Sequence, residues 1–118
     1  MRNMSFSKTT QQMRARTKTV TRRKTWNNLK SGDRIRAVEK SMGLKKGEKV
    51  IPIAEIEIVS VRREPIYAVT YDDIGREGFD GMTHSEFVTL LCDVMKCKAT
   101  DECNRIEFRF VDAPLESE

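Results

Sequence analysis

Apolar residues alternate with polar ones in several stretches of this chain and recur every third or fourth position in another, and these patterns predict its elements. Near the C-terminus, Arg105-Ile106-Glu107-Phe108-Arg109-Phe110 alternates strictly, so Ile106, Phe108 and Phe110 share one face of a strand and the charged residues take the other. Asp33-Arg34-Ile35-Arg36-Ala37-Val38-Glu39 alternates well enough for a half-buried strand after a turn at Ser31-Gly32. In residues 50–61, Ile51, Ile53, Ile56, Ile58, Val59 and Val61 are interrupted by Glu55, Glu57 and Ser60. That pattern slips phase near Ala54, which predicts two short strands or a bulge at a barrel corner. Pro65 has no N–H to donate and is expected to end or bend the strand, with residues 66–71 adding another.

The helical signal is strongest after Thr83. Phe87, Leu90, Leu91, Val94 and Met95 follow at helical spacing, and Thr83 with Glu86 fits a capping box in which hydroxyl and carboxylate satisfy free N-terminal amides. A short helix is expected within residues 8–17, where Gln11, Gln12, Met13, Arg14 and Ala15 follow the caps Thr9 and Thr10. It runs into Thr17, Thr19, Val20 and Thr21, whose β-branched side chains favour an extended path. Residues 72–82, with Gly75, Gly78 and Gly81, read as a flexible connection, and residues 40–49, with Gly43, Gly47 and four lysines, as a basic loop. That loop lacks the Gly-Lys-Ser/Thr ending of a phosphate-binding P-loop. Strands interleaved with two helices predict an α+β architecture, a curled sheet or small barrel with helices at its side.

Composition changes this picture only in part. A chain of 118 residues with 38% hydrophobic content supports one core, expected over residues 4–111, with 112–118 an acidic flexible tail. The distribution of charge says more than its net value of +4. Residues 1–24 hold eight Lys or Arg and no acid, while the remaining 94 carry fourteen basic and eighteen acidic side chains. A concentrated cationic segment attracts polyanions, so nucleic acid is the expected partner and a solvated basic tail the plainer alternative. Cys92, Cys97 and Cys103 are odd in number and lack Cys-x-x-Cys spacing, which argues against a disulfide scaffold and, with His84, against zinc. No metal or cofactor is expected. No apolar run approaches the roughly 18 to 20 residues that span a bilayer, so a cytoplasmic monomer with no membrane partner is expected.

Thr9-Thr10, Lys18-Thr19-Val20-Thr21-Arg22-Arg23, Leu29-Lys30-Ser31-Gly32-Asp33, Glu77-Gly78-Phe79 ahead of Glu86-Phe87, and Arg105-Ile106-Glu107-Phe108 together resemble the ASCH family. The resemblance spans residues 4–111 and implies a PUA-like β-barrel with about two flanking helices, of a compact prokaryotic or phage type. It also implies an association with RNA or other nucleic acid. Some members are amidohydrolases that deacylate acetylated cytidine with a lysine, a threonine three residues later and a downstream glutamate. The matching positions are Lys18, Thr21 and Glu77, with Asp80 the alternative acid if no gap is allowed. Other members are linked to ribonuclease activity.

Amide hydrolysis needs an activated nucleophile, a proton shuttle and stabilisation of an oxyanion. Arg22, Arg23 and partial burial would disfavour the charged form of Lys18 and make its amine a base, with Thr21 and Glu77 relaying protons. Each residue also has a plainer use: Lys18 on phosphate, Thr21 on backbone, Glu77 in a salt bridge with a motif arginine. For nucleic acid, Lys18, Arg22, Arg23, Lys45 and Lys46 are the expected phosphate ligands. Trp26 is the candidate stacking surface, with Tyr67, Tyr71 and Phe79 behind it. Binding of RNA through a basic cleft, hydrolysis of a modified nucleoside, and docking of a protein on the basic face remain open from sequence.

Overall fold

The computed structural model describes residues 1–112. Its centre is one five-stranded sheet built from β1 (Arg2–Ser5), β2 (Val20–Arg23), β3 (Arg34–Val38), β4 (Pro52–Pro65) and β5 (Glu102–Phe110), in the order β1-β3-β4-β5-β2. β1 runs parallel to β3 and the other pairs are antiparallel. The sheet curls into a half-barrel, so its two edge strands approach each other: Arg23 at the end of β2 donates to the Ser5 carbonyl at the end of β1 at 2.7 Å. Among the described residues three helices flank it, α1 (Thr10–Arg14), α2 (Tyr71–Arg76) and α3 (His84–Met95), and a 3-10 turn covers Ile66–Ala68.

The alternating stretches became strands for the expected reason. Ile35, Ala37, Ile56, Ile58, Ile106 and Phe108 are buried together with Met4, Phe6, Met13 and Leu29 in one core cluster. The phase slip near Ala54 appears as a shift in β3–β4 register, where Ala37 pairs with Ala54 but Val38 with Pro52. A second shift leaves Val59 unpaired between Ile58 and Ser60 and turns its side chain toward solvent. These bulges bend a single strand that runs through to Pro65. A second cluster, Ile66, Val69, Ile74, Phe87, Leu91 and Cys103, lies beneath α2 and α3.

Residues 66–71 do not form a strand. They hold the 3-10 turn and the start of α2, whose N-cap Thr70 accepts from the Asp73 amide at 3.1 Å, with Asp72 and Asp73 in its first turn. The expected flexible connection over 72–82 is therefore largely α2 and its cap, and the flanking helices are three rather than two. α1 is shorter than its sequence window, and β1 joins the sheet although only Met4 of its four residues is apolar and buried.

The capping box of α3 is present in full: Thr83 accepts from the Glu86 amide at 3.1 Å and Glu86 accepts from the Thr83 amide at 2.9 Å. Thr83→Ala is expected to lower stability by about 1 kcal/mol, seen as a fall in the urea midpoint at unchanged slope. Asp112 is tied down, accepting from Arg16 at 2.9 Å and from the Glu55 amide at 2.8 Å. The rest of the expected acidic tail, 113–118, lies outside the described residues. No described helix is long and apolar enough to cross a membrane.

Candidate functional site

α1 ends with Arg16 in the left-handed conformation, and the chain then turns into the segment that holds Lys18. Two hydrogen bonds stitch that segment between β5 and α2: the Thr19 carbonyl accepts from the Phe108 amide at 3.0 Å and the Thr19 amide donates to Arg76 at 2.8 Å. The Lys18 amine follows the same direction and donates to the Glu77 carbonyl at 2.7 Å. Lys18 thus caps the C-terminus of α2 with a cation, where the helix dipole and a free carbonyl favour one.

Glu77 is placed by the way α2 stops. Phe79 donates back to the Ile74 carbonyl at 3.1 Å and Gly78 to the Gly75 carbonyl at 2.9 Å, the paired bonds of a Schellman motif. Gly78 has φ +98, and a Cβ there would come within 2.8 Å of Gln12, which also donates to its carbonyl at 3.1 Å. Glu77-Gly78-Phe79 is therefore a helix stop in which only glycine fits the middle position. The stop turns Phe79 onto Phe87, with ring centroids 5.4 Å apart, and below the Lys18 amine, 5.9 Å from its ring.

Lys18, Thr21, Arg23 and Glu77 line one cavity of about 450 Å³ in the gap between the two sheet edges. The Lys18 amine is 3.8 Å from Glu77 Oε1, and both side chains are 3% exposed. Burial pulls the Lys18 pKa down to about 8, with Glu77 opposing that fall and Arg23 and Arg22 adding to it. Burial likewise pushes the Glu77 carboxyl above its usual range against the pull of Lys18 and Arg22. Thr21 Oγ1 accepts from Arg23 Nε at 3.0 Å, which leaves the hydroxyl proton available toward the cavity. Burial lowers the Arg23 pKa to about 10, and its guanidinium lies 4.8 Å from the Phe6 ring centroid. It has no carboxylate partner among the described residues.

Of the other expected phosphate ligands, Arg22 alone also borders the cavity. Arg22 is not open to a phosphate: its side chain is 0% exposed and bonds to Glu64 at 2.5 Å, Glu77 at 2.5 Å and Asp73 at 3.0 Å. Asp73 in turn holds Arg105 at 2.8 and 2.9 Å, bridging two arginines that face each other across β2 and β5. Like charges opposite one another in a sheet repel, so the carboxylate between them is what permits the pair. Asp73 is accordingly held at a pKa of about 2, chiefly by its bond from Arg105.

Lys45 and Lys46 are exposed on the loop between β3 and β4 and do not line the cavity. Trp26 is half-buried against the first core cluster, with the Arg2 guanidinium over its ring at 5.0 Å, and is no part of the cavity wall. Tyr67 and Tyr71 are exposed at the start of the α2 region, also off the cavity, whereas Phe79 is in it. Asp80 is exposed and outside the lining, so Glu77 is the acid that meets Lys18. His84 contacts the Tyr67 carbonyl at 2.9 Å, and Cys103 is buried in the second core cluster.

Sequence reasoning missed the apolar wall. Leu90, Leu91, Val94 and Met95 of α3 line the cavity opposite the polar cluster. Their helical spacing marks an apolar stripe, but periodicity alone does not distinguish a cavity wall from a face turned to the core. Only Phe87 and Leu91 of that stripe are fully buried.

No family model matches the sequence, and no curated protein does. The structure is similar to the crystal structure of a DUF984 protein from Enterococcus faecalis V583, at TM-score 0.68 and 15% identity over 99% of this chain and 80% of that one. It is also similar to an ASCH domain from Lactobacillus crispatus JV V101, at TM-score 0.54 and 16% identity over 86% of this chain and 69% of that one. At such identity the likeness is one of shape, and by that shape the chain carries an ASCH-like fold.

Proposed function

We propose that this protein is an amidohydrolase that deacylates N-acylated cytidine nucleosides in a PUA-like ASCH domain, with Lys18 as general base. The observation that carries this reading is the Lys18 amine itself, buried in a cavity beside Glu77 and Thr21 with its pKa at about 8. Roughly a quarter of such an amine is unprotonated at pH 7.5, against about a thousandth of an ordinary lysine. Lys18 takes a proton from water as the water oxygen bonds to the amide carbon. The oxyanion that forms is met by the Arg23 guanidinium and the Thr21 hydroxyl. The C–N bond then breaks as the nitrogen takes the proton back from Lys18, giving the free amino nucleoside and a carboxylic acid. Glu77, held by Arg22, orients the amine and balances its charge in the protonated state.

The test is release of cytidine and acetate from N-acetylcytidine by the purified protein, followed by chromatography. Absence of product at enzyme concentrations near that of the substrate would overturn the proposal.

A second reading is binding of single-stranded RNA at the same cavity. It is favoured by Arg23, without a carboxylate partner among the described residues, and by Lys8 and Lys24, exposed on the cavity rim. It expects affinity that falls steeply as salt rises and that weakens in Arg23→Gln. Salt-independent affinity would count against it. The commitment of Arg22 to three carboxylates weakens this reading, because it removes one of the five phosphate ligands expected from sequence.

A further inference from the structure

The cavity has two chemically distinct halves. One holds Lys18, Thr21, Arg23 and Glu77; the other is the face of α3, where Leu90, Val94 and Met95 present no hydrogen-bonding group beyond a weak thioether acceptor. The core takes up this α3 column only in part, with Leu90 and Met95 packed against the second cluster and still lining the cavity. Leu90 and Met95 are half-buried and Val94 is 45% exposed, while the adjacent Phe87 and Leu91 fill the second core cluster. An apolar column left at the mouth of a site with a basic amine calls for an apolar part of the ligand.

Which part follows from satisfaction of polar groups. A nucleoside carries hydroxyls and base-edge donors and acceptors, and burying these against Leu90, Val94 and Met95 would leave them unpaired, at a cost larger than the packing gained. They belong on the side of Ser7, Lys8 and Lys24, which line the same cavity. With the amide carbon within reach of Lys18 and the nucleoside on the polar side, the acyl substituent points at α3.

We propose that Leu90, Val94 and Met95 form an acyl-chain subsite that makes this protein selective for amides of longer fatty or bulky acids over acetyl. This rests on the amidohydrolase reading and names its substrate class more narrowly. Burying a methylene is worth enough to raise kcat/KM roughly three- to fourfold per added CH2 until the wall is covered.

The experiment compares N-acetyl-, N-butyryl- and N-hexanoylcytidine on the full chain and on Val94→Lys, whose partial exposure lets the fold accept a polar side chain. In the wild type kcat/KM is expected to climb across the series, and in Val94→Lys the climb is expected to flatten. A wild-type series that is flat or falls with chain length overturns the subsite while leaving the hydrolase reading intact. If no member is hydrolysed, the hydrolase reading fails and the subsite is decided by binding alone. For that purpose calorimetry compares N-methyl- with N-hexylcytidine, which have no scissile carbonyl. Tighter binding of the hexyl compound, lost in Val94→Lys, supports the subsite, and equal affinity overturns it.

Discussion

Replacing Arg22 by methionine is expected to destabilise the protein by about 3 to 5 kcal/mol at neutral pH, lowering its melting temperature by more than about 10 °C. Arg22 has no exposed side-chain surface and holds Glu64, Asp73 and Glu77 at once. Two of these have other partners: Asp73 keeps Arg105 at 2.8 Å and Glu64 keeps Arg62 at 2.7 Å. Glu77 does not, and would be left with the Lys18 amine at 3.8 Å. The penalty therefore falls mainly on one buried carboxylate that has lost its hydrogen-bonded counterion.

That origin gives the effect a pH dependence. Burial already raises the folded pKa of Glu77, and loss of Arg22 raises it further. A carboxyl with a raised folded pKa is at its most favourable below its unfolded pKa and loses stability as pH rises through the folded value. The deficit of Arg22→Met should thus be smallest near pH 5 and largest near pH 8. The opposite sign holds for Asp73, whose pKa of about 2 means that its contribution is intact above the unfolded value and lost as pH falls toward 2. Urea titrations of both proteins at pH 5 and pH 8 check this, and an equal deficit at both would show that Glu77 is not where the cost arises.

The same network explains what the sequence did and did not reveal. β3, β4, β5 and α3 were legible because their apolar residues alternate or recur at helical spacing, and the core selects that periodicity. β1 was not, since Arg2-Asn3-Met4-Ser5 offers a single apolar side chain and joins the sheet by parallel pairing with β3. α2 was masked by Gly75 and Gly78, although Thr70 with Asp73 already spelled its N-cap. Gly78 turned out to end that helix rather than loosen it. For the site, Lys18 and Glu77 are 59 residues apart, and family resemblance alone linked them. The plainer expectation for Glu77, a salt bridge with a motif arginine, is also met, through Arg22. Arg22 looked like a free cation because two of its three partners, Glu64 and Asp73, lie 42 and 51 residues downstream with no local pattern to mark them.

Lys18→Met is expected to abolish deacylation, by a factor of at least about 10² to 10⁴, without unfolding the protein. Methionine fills much of the same volume and carries no charge to desolvate. The wild-type lysine is held unfavourably when protonated: its folded pKa of about 8 lies below the 10.5 of the free side chain. A base with a depressed folded pKa penalises folding most below that pKa, and the penalty fades as pH rises from 8 toward 10.5. The variant should therefore be at least as stable as the wild type at pH 7 and lose that advantage by pH 10. Its lost bond to the Glu77 carbonyl works the other way, by about 1 kcal/mol. In the wild type the same ionisation should appear as kcat/KM for acylated cytidine rising with pH through about 8 and then levelling, because only the neutral amine accepts the proton of water. A flat profile from pH 6 to 9.5, or turnover retained in Lys18→Met, would remove Lys18 from the chemistry. A variant that is inactive because it is unfolded would show in the melting curve. Inactivity with undiminished stability at pH 7 is the pattern expected of a lysine kept buried for its reactivity rather than for the fold.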